Sequence, residues 1–167
     1  MGVREGLLAE YDHEIATTRR LLERLPEGGD GALAWKPHAK SMSLGGLATH
    51  VANIPTWTGP IVDQNVFDLN DSPAHAQEWT SRAAILAHFD DSCRAARRAL
   101  DKSDAEFAAM WTLKRGGHEV FSMPRVAVFR SFVLSHLIHH RGQLSVYLRL
   151  NDIPVPPIYG PSADEGQ

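Results

Sequence analysis

The stretch Ser135-His136-Leu137-Ile138-His139-His140-Arg141-Gly142-Gln143-Leu144 constrains the fold more than any other, because it lies near the middle of the most apolar helical pattern in the chain. At about 100° per residue from Val126, the residues Phe129, Val133, Leu137, His140, Leu144, Tyr147 and Leu148 share one stripe, with His136 at its edge. A stripe of this kind has to be covered by other elements. His136 and His140 then stack one turn apart on a buried face, where their ring nitrogens can hold one metal ion from one side. The same pair also fits two core histidines, each bonded to a carbonyl, unless a third ligand comes from elsewhere. His50 is the candidate third.

Three further helices are predicted around this one. From Val3 to Leu25, the residues Leu7, Leu8, Tyr11, Ile15, Thr18, Leu22 and Leu25 form an amphipathic face that Pro26 and Glu27-Gly28-Gly29-Asp30-Gly31 terminate. A loop follows, in which Pro37 keeps Lys36 extended, Trp35 is a core anchor and His38 faces solvent. Ser41 or Ser43 caps a second helix with Leu44, Leu47, Val51 and Ile54 at three- and four-residue steps and His50 on the edge of that stripe. Gly45 and Gly46 in its first turn imply close packing against another backbone, since each costs about 1 kcal/mol relative to alanine. Pro55 interrupts the helix, which is expected to resume from Trp57 to Leu69 and to stop at Asn70-Asp71-Ser72-Pro73. Thr80 or Ser81 starts a third helix with Ile85, Leu86, Phe89, Cys93, Ala96 and Leu100 inward and His88 pointing away.

Between Phe107 and Met123 the pattern becomes Trp111-Thr112-Leu113, a glycine turn at Arg115-Gly116-Gly117-His118, and Val120-Phe121, which reads as a short β-hairpin. His118 and Glu119 sit at its turn. After Ser122, Pro124 opens the final helix, which runs to about Leu150 and carries Val128, Phe132, Leu134, Ile138, Val146 and Leu150 off the main stripe. A helix apolar on nearly every side is expected to be covered by a second subunit as well, so a homodimer is predicted. The proline-rich tail, residues 152–167, should run extended across the surface.

These elements predict one domain over residues 1–167: an all-α, up-down four-helix bundle with a crossover loop and a short β-hairpin before the last helix. A chain of this length buries roughly 70% of the surface its unfolded form exposes, enough for an ordinary core. With 17 basic against 20 acidic residues there is no field suited to nucleic acid or an anionic membrane. The single cysteine, Cys93, excludes an internal disulfide, reads as a small core side chain, and together with the absence of a secretory or spanning apolar run predicts a cytoplasmic protein. In such a bundle His50 can meet His136 and His140. Three neutral imidazoles leave coordination positions open and suit zinc, nickel, copper or iron.

Several blocks together are more specific than any one spacing: Trp35-Lys36-Pro37, Ser43-Leu44-Gly45-Gly46-Leu47-Ala48-Thr49-His50, Met123-Pro124-Arg125, His136 to Leu144, and Tyr159-Gly160-Pro161-Ser162-Ala163-Asp164-Glu165. In these the chain resembles the DinB family, the DinB/YfiT-like group, from about Leu7 to Pro161. The resemblance implies a bundle, usually dimeric, with a divalent metal on residues corresponding to His50, His136 and His140. It also implies, through some relatives, a thiol-dependent enzyme with a low-molecular-weight thiol at the metal. His139 is not a ligand in that pattern and is given a supporting or interface role.

Two functions follow as expectations. One is a metal-dependent enzyme, a thiol S-transferase or a hydrolase, with zinc or nickel first and iron also suitable, in which Asn53, Gln143 and His139 orient the ligands. The absence of Asp and Glu from Pro124 to Leu150 weighs against a self-contained hydrolase. The other is a non-catalytic metal-binding or stress-response protein. A di-iron site on Glu10-x-x-His13 is excluded, since both residues lie off the apolar face and no second Glu-x-x-His completes it.

Overall fold

A computed structural model of the chain describes residues 2–29, 31–71 and 78–166; Asp30, Ser72 and Pro73 of the expected loops lie outside them. Helix α1 spans Val3–Leu22, and its exposed N-terminal N–H groups are met by carboxylates. Gly2 N–H donates to Glu5, while Val3 and Arg4 donate to Asp104 from far along the chain. The helix stops a turn before the expected Leu25, which is nonetheless fully buried in the turn that follows.

Helix α2 (Leu44–Asn53) is capped by Ser43, whose Oγ accepts from Gly46 N–H at 2.8 Å. Gly45 has its expected reason: a Cβ there would lie 3.1 Å from Leu33 Cβ and 3.2 Å from Leu33 O. The Leu33 segment therefore packs directly on the first turn of α2. Leu44, Leu47, Val51 and Ile54 are all buried, and Trp35 lies edge-on to Tyr147 of the last helix with ring centroids 5.6 Å apart.

Pro55 turns the chain into one 3-10 turn, Ile54–Trp57, and then a short α3 (Thr58–Asp63). The expected helix to Leu69 is corrected here. Residues Val66–Asp68 form strand β1, followed by a 3-10 turn at Leu69–Asp71. Pairing to a distant strand, not local propensity, decides this segment.

Helix α4 (Arg82–Ala99) is capped by Ser81, and a short α5 (Asp104–Ala108) follows. Strands β2 (Met110–Arg115) and β3 (His118–Pro124) make the expected hairpin, with Gly116 and Gly117 both at positive φ in its turn. It is not an isolated hairpin. Strand β1 pairs parallel to β2, Val66 to Thr112 and Phe67 to Leu113, giving a three-stranded sheet in the order β1-β2-β3. The fold is thus mostly helical with a small sheet, rather than all-α.

The sheet is fastened to the helices by Arg125, which is 8% exposed. Its guanidinium donates to the carbonyls of Ile61, Gln64 and Glu106 and to Asn65 Oδ1. These bonds go to carbonyls at the ends of α3 and α5, and so the charge is held inside without a carboxylate ion pair among the described residues.

The final helix is not continuous α-helix. It begins as α6 (Arg125–Phe129) with Pro124 as its N-cap, passes through a π-helical turn at Arg130–Ser135, and continues as α7 (His136–Leu150). Its apolar stripe packs against α1 and α2. Val146 and Leu150, on another face, are more than half exposed. Arg141 of α7 is 1% exposed and pairs with the buried Glu14 of α1 at 2.6 Å. Tyr159 from the tail donates to Glu14 at 3.0 Å and accepts from Arg141 at 2.7 Å. The tail is accordingly held down, also by Arg149 on Asp164 and Arg24 on Glu165, and turns back at Ser162–Glu165 instead of simply running extended. Among the described residues no helix is long and apolar enough to cross a membrane.

Candidate metal centre

Helix α2 presents His50 toward α7, which presents His136 and His140 on successive turns. His50 Nε2 and His136 Nε2 are 3.1 Å apart. One potential ligand nitrogen from each of the three rings lies within 4.8 Å of the others. The rings of His50 and His140 are edge-on, with centroids 4.4 Å apart. Two nitrogens bound tetrahedrally to one zinc ion sit about 3.3 Å from each other, given zinc–nitrogen bonds of about 2.0–2.1 Å. The donor set therefore fits a divalent ion of that kind.

Hydrogen bonds behind the rings fix which nitrogen faces inward. His140 Nδ1 is 2.7 Å from Gln143 Oε1, and His136 Nδ1 is 3.3 Å from the carbonyl oxygen of Phe132. Both partners are acceptors, so each Nδ1 carries the proton and each Nε2 keeps its lone pair. The Phe132 carbonyl belongs to the π-helical turn, an irregularity often found beside functional residues.

All three imidazoles are held neutral. Burial, reinforced by His140 and His136, pushes the His50 pKa down to about 4. Burial also lowers the pKa of His136 and of His140, against the opposing effect of their Phe132 and Gln143 bonds.

Of the other residues expected to support the site, only Gln143 bonds one of the three clustered rings. Asn53 lines the same site, but its Oδ1 is 3.2 Å from Nε2 of His88. His88 does not simply point away from the core: it is half-buried, 3.5 Å from Ser92 Oγ and packed against Trp79. His139 is exposed, edge-on to His140, and outside the ligand cluster. Glu10 pairs with Arg130, and His13 stacks on Tyr159, so neither approaches the centre. Cys93 is buried on α4 and its thiol pKa is pushed up to about 12 by that burial, which makes it an inert core group.

His50 separates two cavities. A polar one of about 490 Å³ is lined by Lys36, Ser43, Thr49, His50, Asn53 and Glu78. Glu78 accepts a hydrogen bond from Ser43 Oγ at 2.6 Å. The second cavity, about 450 Å³, is apolar and carries His50 and His136 at one side, with Trp57, Trp111, Phe121 and Phe132 among its walls. Sequence reasoning missed Glu78, because an acidic residue in a loop has no pattern to distinguish it. It also missed the aromatic walls, because they come from four separate elements. His118 and Glu119, the turn residues, are exposed and line neither cavity.

A mostly helical framework with a small sheet and a three-histidine cluster between a polar and an apolar cavity defines the class of protein. The family model for the DinB family matches residues 1–167, and the chain belongs to that family. The protein YrdA of Bacillus subtilis is 27% identical over 163 residues, covering 96% of this chain and 90% of YrdA. Two crystal structures share the fold. A DinB-like protein of Bacillus cereus superposes with a TM-score of 0.68 at 21% identity, covering 93% of this chain and 97% of its own. A DinB-like protein of Bacillus subtilis superposes with a TM-score of 0.70 at 15% identity, covering 94% and 99%.

Proposed function

We propose that this chain is a divalent-metal-dependent enzyme that transfers a low-molecular-weight thiol to a small electrophile, with His50, His136 and His140 as the metal ligands. The observation that carries the reading is the convergence of three neutral imidazoles, two with Nδ1 already engaged, at the boundary between two cavities. Zinc or nickel suits an all-imidazole set, and iron is compatible with it. The chemistry such an ion supplies is acidification of a coordinated thiol or water and polarisation of the electrophile.

The chain's own residues position and exclude. Gln143 holds the His140 ring and the Phe132 carbonyl holds the His136 ring. Lys36 and Thr49 give the polar cavity donors for a hydrophilic thiol, while the aromatic walls keep water from the opposite side of His50. Transfer is favoured over self-contained hydrolysis because the last helix, which carries His136 and His140, has no Asp or Glu from Pro124 to Leu150 to serve as a base beside them. We read α1, α2, α4 and the α6–α7 helix as the four members of an up-down bundle, and the protein as a cytoplasmic homodimer. Exposed Val146 and Leu150 on α7 support the dimer, for which sedimentation at twice the chain mass is expected; a monomer at micromolar concentration removes that part of the reading.

The test begins with elemental analysis of tag-free protein, as purified and after zinc or nickel reconstitution. About one metal per chain is expected, lost in His50→Ala and His140→Ala, with thiol transfer lost in parallel. Metal that stays bound in both variants overturns the ligand set. Metal at full occupancy without turnover across a panel of thiols and electrophiles favours a non-catalytic, metal-binding role.

A further inference from the structure

The apolar cavity is a constructed feature rather than loose packing. Trp111 from β2 is 2% exposed and its Nε1 donates to the Pro60 carbonyl at 3.0 Å, which fixes the indole and leaves it no polar demand on an occupant. Phe121 from β3 lies 6.0 Å from Trp111 and 5.4 Å from Phe132, stacked on the latter at 26°. Trp57, which closes another side, packs edge-on to Phe67 of β1 at 5.6 Å. Rigid aromatic faces around about 450 Å³ match a site for a ring-bearing ligand, because unfilled space against such faces forfeits dispersion contacts that an occupant restores.

One charge sits on this wall. Arg115, at the end of β2, lines the cavity and is exposed, and it makes no ion pair among the described residues. A carboxylate at the hairpin turn, Asp68, is already taken: it accepts from Asn70, Gly116 and Gly117 N–H groups at 2.9, 2.9 and 2.6 Å. Those bonds hold the Asp68 pKa below its usual value. The cavity therefore offers an aromatic body, the candidate metal ligands His50 and His136 on one side, and an uncommitted guanidinium on its rim.

We propose that this cavity binds the electrophilic substrate as an aryl carboxylate, its ring among Trp57, Trp111, Phe121 and Phe132 and its carboxylate on Arg115. The inference rests on the enzyme reading given above, to which it adds the substrate class. The polar cavity across His50 is left to the thiol.

Trp57 and Trp111 are two of the four tryptophans, so binding has its own optical signal. The experiment titrates 2-naphthylacetate and, separately, the uncharged 2-naphthylethanol into zinc-loaded and metal-free protein, following tryptophan fluorescence, with metal content measured on the same samples. Saturable quenching by both probes is expected in both samples. Arg115→Gln should weaken naphthylacetate about tenfold, the loss of one charge-assisted contact, and leave the alcohol unchanged. Phe132→Ala should weaken both. Circular dichroism of each variant ensures that the comparison is between folded proteins. The proposal is overturned if neither probe saturates, if Arg115→Gln leaves naphthylacetate unaffected, or if naphthylacetate binds only when zinc is present. Protein that takes up no zinc on reconstitution, yet still binds naphthylacetate through Arg115, keeps the cavity assignment and overturns the metal reading instead.

Discussion

His140 illustrates how one side chain is prepared by its neighbours. Its spacing from His136 is a sequence fact, but its tautomer is set by Gln143, one turn further along α7, through a 2.7 Å bond. Gln143→Leu keeps the volume and removes the acceptor. It should lower metal affinity by about 10–100-fold, the usual effect of losing such a supporting bond, with the helix intact. Competition with a chromogenic chelator measures this directly. At this scale the clustering of His136 with His140 was legible because helical spacing is a geometric constraint on the chain. The buried Glu14–Arg141 pair was not: each residue alone reads as a solvated charge, and only a partner from a remote part of the chain makes burial tolerable. His88 escaped for the same reason, since its contact with Asn53 joins two helices.

Glycine has opposite consequences in α7 and α2. Gly142 in α7 is exposed and a Cβ there would meet nothing within 4 Å, so Gly142→Ala should raise stability by about 0.8–1 kcal/mol through helix propensity alone. Gly45→Val meets the Leu33 backbone and should destabilise by about 1–3 kcal/mol, the range for overpacking. Urea unfolding of the two variants reads both signs. The capped helices and the hairpin could be read from the sequence because caps, apolar steps and a Gly-Gly turn are local. Strand β1 could not, since three residues carry no period and its pairing partner lies beyond α4. The π-helical turn was equally hidden, because the apolar residues on either side of it, Phe129 and Leu137, remain buried as an unbroken helix would have them.

The molecule as a whole carries three half-buried imidazoles that folding makes less basic. Without metal, the unfolded chain binds protons between about pH 6.5 and the His50 folded value of about 4, while the folded protein does not. Stability is therefore full above that window and falls as pH falls through it. Urea midpoints of metal-free protein should decline from pH 7 to 4.5, and His50→Gln should flatten part of the slope. A slope unchanged by that substitution would place the proton uptake elsewhere. Synthesis proceeds from the first helix to the last, and His50 emerges 86 residues before His136. Of the three clustered histidines, a nascent chain folding from its N-terminus presents only His50 until the last helix has been made. An ion held by all three histidines would therefore be taken up only once the last helix has docked, at the end of synthesis rather than during it.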